Sequence, residues 1–118
     1  MNEYKIQADF IRYVELMHPD LLYTISPAGL IMSAGMATRM MRMGYRKGTP
    51  DVIIFEPRAS FHGFFIEFKA PKGKTSESQD KFLLEARNRG YATAVCFSTA
   101  DGIRLLEVYL NHTSILYQ

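Results

Sequence analysis

Apolar residues fall at Ile6, Phe10, Tyr13, Val14 and Met17, the spacing of one helical stripe, and His18-Pro19 supplies a stop, which predicts a helix over 3–17. Leu21 to Ile25 is a short β-prone run closed by the turn formers Ser26, Pro27, Ala28 and Gly29, which predicts a short strand. Good helix formers between Ser33 and Gly44 place Met36, Met40 and Met43 on one face and space Arg39, Arg42 and Arg46 along another. A second helix with one basic side is therefore expected. A methionine face fills an irregular core or serves a subunit contact, and core is the expectation here.

Gly48-Thr49-Pro50 interrupts the helix-forming pattern, and Asp51 to Phe55 and His62 to Lys69 then read as two strands of a hairpin. After the polar stretch Ala70 to Thr75, Ser76 with Gln79 three residues on forms a capping box. Phe82, Leu83 and Ala86 follow at helical spacing before a stop at Gly90, so a third helix is expected from about 77 to 89. Tyr91 to Phe97 reads as a further strand, and the helix before it predicts a right-handed βαβ unit with a parallel pair. Ser98 or Thr99 can cap a last helix through Leu110. No repeat or linker divides the chain. The expected architecture is a single α/β domain over residues 1–118, with a mixed sheet flanked by helices.

Composition narrows the class more than the chemistry. A hydrophobic fraction of 47% with 22% charged residues excludes a disordered chain, and 118 residues suffice for one compact core. The net charge of +2 is far below that of a packaging protein, so charge alone does not point to nucleic acid. The single cysteine, Cys96, excludes an internal disulfide and a Cys-rich zinc site, and its setting in Ala94-Val95-Cys96-Phe97 reads as core. His18, His62 and His112 form no i, i+4 pair and are given no catalytic role. Without a basic stretch leading into an apolar run, or a segment of bilayer-spanning length, a cytoplasmic protein is expected.

The hairpin carries the chemistry. Ala59 lies midway between Asp51 and Glu67, so symmetric antiparallel pairing sets these two carboxylates opposite each other. Side-chain alternation puts Lys69 on the face of Glu67 and sends Ile66 and Phe68 to the other face beside Val52 and Ile54. Two acids facing each other repel unless a positive charge sits between them. All-oxygen ligands without a thiolate suit a hard cation, Mg²⁺ or Mn²⁺, better than zinc. Such a cation beside an ammonium group meets the needs of phosphodiester hydrolysis.

Pro50-Asp51 followed by Glu67-Phe68-Lys69 resembles the Pro-Asp … (Asp/Glu)-x-Lys signature of the restriction-endonuclease-like superfamily. The run Lys47-Gly48-Thr49-Pro50-Asp51, the small size, and Ser76-x-x-Gln79 after the lysine are similar to the virus-type replication-repair nuclease (VRR-NUC) domain, from Glu15 to about Gly102. The resemblance implies a restriction-endonuclease-like core and an Mg²⁺-dependent DNA endonuclease. Its metal ligands would be Asp51, Glu67 and the Phe68 carbonyl, with Lys69 as catalytic lysine. A glutamate of the first helix would complete the acidic group; Glu15, near the coming sheet, is preferred over Glu3 at the fraying end. The resemblance also implies that Gln79 supports the site, and permits a homodimer acting on four-way junctions or other branched DNA in phage or bacterial replication, recombination or repair.

Blander readings stand beside these. Asp51 can be a turn residue, Glu67 and Lys69 a solvated strand face, and Gln79 no more than part of the capping box. Arg39, Arg42, Arg46 and Lys47 run directly into the segment bearing Asp51, which favours phosphate contact over a merely solvated helix face. Lys72 and Lys74 either track a nucleic-acid backbone or keep their loop wet. Two rivals to the nuclease are a non-catalytic DNA-binding module of the same fold and a partner-binding α/β domain with an acid-lined groove.

Overall fold

The computed structural model of the protein describes residues 2–27 and 33–111; the turn positions Ala28 and Gly29 and the histidine His112 lie outside them. The elements in chain order are α1 (Glu3–Met17), β1 (Tyr23–Ile25), α2 (Ala34–Arg42), β2 (Val52–Ile54), β3 (Phe64–Phe68), α3 (Glu77–Asn88), β4 (Ala92–Cys96) and α4 (Thr99–Leu110). They form a mixed sheet in the order β1-β2-β3-β4, antiparallel across the first two pairs and parallel between β3 and β4. The α/β class, the hairpin and the parallel pair across α3 are as the sequence predicts.

The sheet separates two layers of helix. Val52, Ile54, Phe64, Ile66 and Phe68 alternate onto one face and bury against Ile6, Phe10 and Val14 of α1 and Leu106 and Tyr109 of α4. On the other face α3 turns in Leu83 and Ala86, while Phe65 of β3 stacks on Tyr91 and meets the Phe82 ring at a tilt. α1 and α4 lie side by side in the same direction. The Thr99 hydroxyl donates to the Ile6 carbonyl at 2.9 Å near their N-termini, and Glu107 accepts from Tyr13 at 2.6 Å towards their C-termini. Gly102 permits the approach, because a Cβ there would stand 2.9 Å from the Phe68 ring and 3.1 Å from that of Phe10.

Side-chain caps start each helix: Asn2 accepts from the Lys5 amide, Ser33 from Met36, Ser76 from Gln79 and Ser98 from Asp101. The hairpin tip is Ala59-Ser60, with Ala59 at a φ of +54° and Arg58 bridged to Phe61. The register Val52↔Ile66, Ile53↔Phe65, Ile54↔Phe64, carried one residue further, sets Asp51 opposite Glu67.

α2 departs from expectation. Met36 is 54% and Met43 87% exposed, Met40 is only half-buried, and the helix buries no residue. The expectation that this methionine face belongs to the core is therefore corrected. Helical periodicity shows which residues share a face, and among the described residues no element packs closely enough on α2 to bury that one.

Candidate active site

Asp51 follows the buried Pro50 and stands just before β2, where its backbone carbonyl accepts from Ser26 at 2.9 Å. Proline cannot donate and restrains the residue before it, so it ends the preceding loop and delivers the acid at the strand's mouth. One carboxylate oxygen of Asp51, Oδ2, accepts the Phe68 amide at 2.7 Å, so the acid crosses the hairpin and is fixed by the backbone of β3.

Glu67 sits on that strand between two core residues, yet it is only 2% exposed. Its Oε2 accepts from Gln79 Nε2 at 3.0 Å and lies 3.6 Å from the ammonium of Lys69, while its Oε1 is buried with no hydrogen-bond partner among the described residues. Burial is the main reason that the Glu67 carboxyl is pushed up to about 8; the Asp51 carboxyl raises it further, by its charge and then by the close approach of the two side chains, Lys69 pulls it back, and Glu3 adds a last push. A carboxylate oxygen with no donor in a dry setting costs about 1–3 kcal/mol, and a proton or a cation would relieve that cost. Lys69 keeps only 12% of its side chain exposed, held beside the acids by strand alternation and followed at once by a tight turn in which Gly73 donates to the Ala70 carbonyl.

Gln79 both caps its helix and bonds Glu67. Its backbone amide donates to Ser76 Oγ at 3.2 Å and its Oε1 accepts the Ser76 amide at 2.8 Å, completing the capping box. The other end of the same amide group donates to Glu67, so helix capping and the acid pair share one side chain.

Of the two glutamates of α1, Glu3 rather than the expected Glu15 is the one whose charge acts on Glu67. The Thr99–Ile6 contact ties the N-terminal end of α1 to the start of α4, which follows directly on the end of β4 beside Phe68 and Lys69. Glu3 therefore stands at the acid end, where its charge is felt by Glu67. Twelve residues of helix put Glu15 about 18 Å further along. Its charge acts on Tyr23, whose hydroxyl is raised first by burial and then by Glu15. Both glutamates line a groove of about 710 Å³ between α1 and β1, with Asp51 at one end. Among the described residues, no three acidic, histidine or cysteine side chains are gathered tightly enough to make a complete metal centre.

The basic residues divide. Arg39 and Arg42 lie exposed in the last turn of α2 and make no ion pair among the described residues, and Lys47, Lys72 and Lys74 are likewise exposed. Arg46 is engaged: it donates to Glu85 at 3.2 Å, with its guanidinium 5.7 Å from the centre of the Phe82 ring. Cys96 is fully buried, and burial pushes its thiol up to about 12, which makes it the inert core residue that was expected.

The VRR-NUC domain family model matches residues 3–100. A solved structure described as a VRR_NUC domain protein superposes with a TM-score of 0.82 at 20% identity, covering 96% of this chain and 91% of that one, which establishes the shared fold. No curated protein sequence matches the chain. With the family pattern extending over most of its length and the Pro-Asp and Glu-x-Lys positions meeting at one end of the sheet, the chain belongs to the VRR-NUC family of nuclease-type, DNA-processing domains.

Proposed function

We propose that this protein is an Mg²⁺-dependent endodeoxyribonuclease, with Mn²⁺ able to substitute, acting on four-way junctions or other branched DNA. The observation that carries this reading is the buried Oε1 of Glu67 beside Asp51, without a hydrogen-bond partner among the described residues, in a donor set of oxygens alone that fits a hard divalent cation. Asp51, Glu67 and the Phe68 carbonyl would hold it. The Phe68 amide already donates to Asp51, and the carbonyl of an extended residue points to the same strand edge as its amide. Glu3 takes the helix position that Glu15 was expected to fill.

When bound, the cation polarises a phosphate oxygen and makes water a better nucleophile at neutral pH. The chain's own groups then have distinct work. Lys69 presents an ammonium beside Glu67, where it orients the attacking water and offsets the charge growing on phosphate. Gln79 holds one oxygen of Glu67 in place. Water adds to phosphorus, the P–O ester bond breaks, and the products are a phosphate monoester and a free hydroxyl.

Arg39, Arg42, Lys47, Lys72 and Lys74 supply phosphate contacts, and Arg46 joins them by exchanging Glu85 for a phosphate. Such contacts read shape rather than base sequence. A homodimer presenting two sites suits the two-fold symmetry of a junction, and the exposed methionines of α2 offer it a contact surface. The proposed place of work is inside a bacterium or a phage-infected cell; among the described residues no helix is long and apolar enough to cross a membrane.

The test is a panel of flaps, forks, nicked duplexes and four-way junctions incubated with Mg²⁺ or Mn²⁺ beside Glu67→Ala. Cleavage of branched DNA that vanishes in the variant is expected, and an inert wild-type protein across the panel overturns the reading. One observation favours the second reading, a DNA-binding module without turnover: no complete three-ligand cluster stands ready among the described residues. A pure binder would hold the same DNA and lose nothing when Lys69 is replaced by alanine.

A further inference from the structure

We propose that Gly48 is a positioning residue of the candidate active site, seating the loop that delivers Asp51 directly on the first turn of α3 so that Gln79 meets Glu67. For its catalytic consequence this rests on the nuclease reading above; for its structural consequence it does not.

Gly48 is buried and adopts a φ of +92°, a left-handed conformation that side chains resist. A Cβ there would stand 2.2 Å from the Ser78 carbonyl oxygen, 2.4 Å from its carbon and 2.9 Å from the Gln79 nitrogen. Those are backbone atoms, which cannot swing aside as a flexible side chain would. The loop backbone therefore lies against the peptide that joins Ser78 to Gln79, and only a residue without a side chain allows it.

The position of that contact gives it its meaning. Three residues after Gly48 comes Asp51, bonded to the Phe68 amide at 2.7 Å. On the other side of the contact is Gln79, its side-chain amide held at one end by the Ser76 amide and at the other by Glu67. Gly48 thus joins the two elements that approach the acid pair from opposite sides. A displaced α3 would withdraw Gln79 from Glu67 and free the carboxylate to rotate. The turn that presents Gly48 is closed by Thr49, whose hydroxyl and amide both donate to the Arg46 carbonyl, at 2.5 and 3.2 Å.

Gly44 provides an internal control. It lies four residues earlier at a φ of +111°, and nothing stands within 4 Å of its hypothetical Cβ. Gly44→Ala carries the backbone strain alone, whereas Gly48→Ala carries the strain and the collision with α3.

The experiment compares wild type, Gly44→Ala and Gly48→Ala in two measurements. The metal-free measurement is the NMR signal of the Gln79 side-chain amide. It should move towards the free-amide position in Gly48→Ala and stay in place in Gly44→Ala. The second is Mg²⁺ affinity by calorimetry, expected to weaken roughly ten- to hundredfold in Gly48→Ala, the range seen when a residue supporting a metal ligand is lost, and little in Gly44→Ala. Gly48→Ala combined with Gln79→Met should lose less Mg²⁺ affinity than the two single losses added together, since both act in part through Glu67. Should Gly48→Ala fail to fold, Thr49→Val, which loosens the same turn, should show the same amide movement at smaller amplitude. A Gln79 signal unmoved by loop variants, or moved equally by both glycine variants, overturns the proposal. A wild-type protein that neither binds Mg²⁺ nor cleaves DNA, while its Gln79 amide still answers to Gly48→Ala, overturns the nuclease reading and leaves the positioning role standing.

Discussion

At the scale of single residues, the acid end of the sheet is governed by burial. Glu67 is 2% exposed, with one oxygen engaged by Gln79 and Lys69 and the other without a hydrogen-bond partner among the described residues, so its environment opposes a bare negative charge. Lys69→Ala should lower cleavage by about 10²- to 10³-fold, the usual cost of one group that stabilises developing charge, while DNA binding changes little; single-turnover assays beside an anisotropy titration would check this. The two glutamates of α1 allow a sharper comparison. Glu3→Gln should weaken Mg²⁺ binding measurably and Glu15→Gln should not, and equal effects in calorimetry would contradict the placement of Glu3. The facing of Asp51 and Glu67 was legible in the sequence, because the period-two alternation and a turn centred on Ala59 leave little freedom. The choice between Glu3 and Glu15 was not, since both lie on one helix and only the direction in which α1 crosses the sheet decides which end meets the acids.

At the scale of elements, the caps and stops that end each helix are local chemistry. Asn2, Ser33, Ser76 and Ser98 each accept an amide of their own first turn, and at Ser76 and Ser98 that capping chemistry was legible in the sequence. The joining of elements is a different matter. At the far end of the α1–α4 pair, Glu107 accepts from the Tyr13 hydroxyl at 2.6 Å and meets His18 Nε2 at 2.6 Å, and these two bonds, Tyr13 first, hold its carboxyl below the ordinary carboxylate range. A carboxyl whose value is lower in the folded than in the unfolded chain adds stability that is complete above the unfolded value, about 4.3, and lost as pH falls through the folded one. Thermal melts between pH 3 and 6 should therefore show Glu107→Gln to be less stable than wild type at the upper end and to converge with it at the lower. A constant gap across that range would assign the network no electrostatic role.

At the scale of the whole molecule, the sheet is covered on one face by α1 and α4 and on the other by α3, while α2 contributes nothing to either layer. Its exposed Met36, Met41 and Met43, with Arg39 and Arg42 that make no ion pair among the described residues, form an apolar and cationic surface. Replacing Met36 and Met43 together by glutamate should leave the fold and the melting temperature nearly unchanged, because neither is buried, and should shift a dimeric protein to monomer in sedimentation velocity. Unchanged association would remove α2 from the proposed interface.

The sequence by itself determined whatever depends on neighbours along the chain: the helix starts, the hairpin register, the apolar face of β3, and the segregation of Asp51, Glu67 and Lys69 from the core. These follow from periods of 2 and 3.6 and from capping, all short-range physics. Only the tertiary structure decided that Glu3 lies at the acid end, that α2 buries no residue against the described elements, that Arg46 is taken by Glu85, and that Gly48 rests on α3. Each of these depends on which surfaces meet across long stretches of chain. Periodicity says which side chains share a face, whereas the packing of whole layers decides what that face touches.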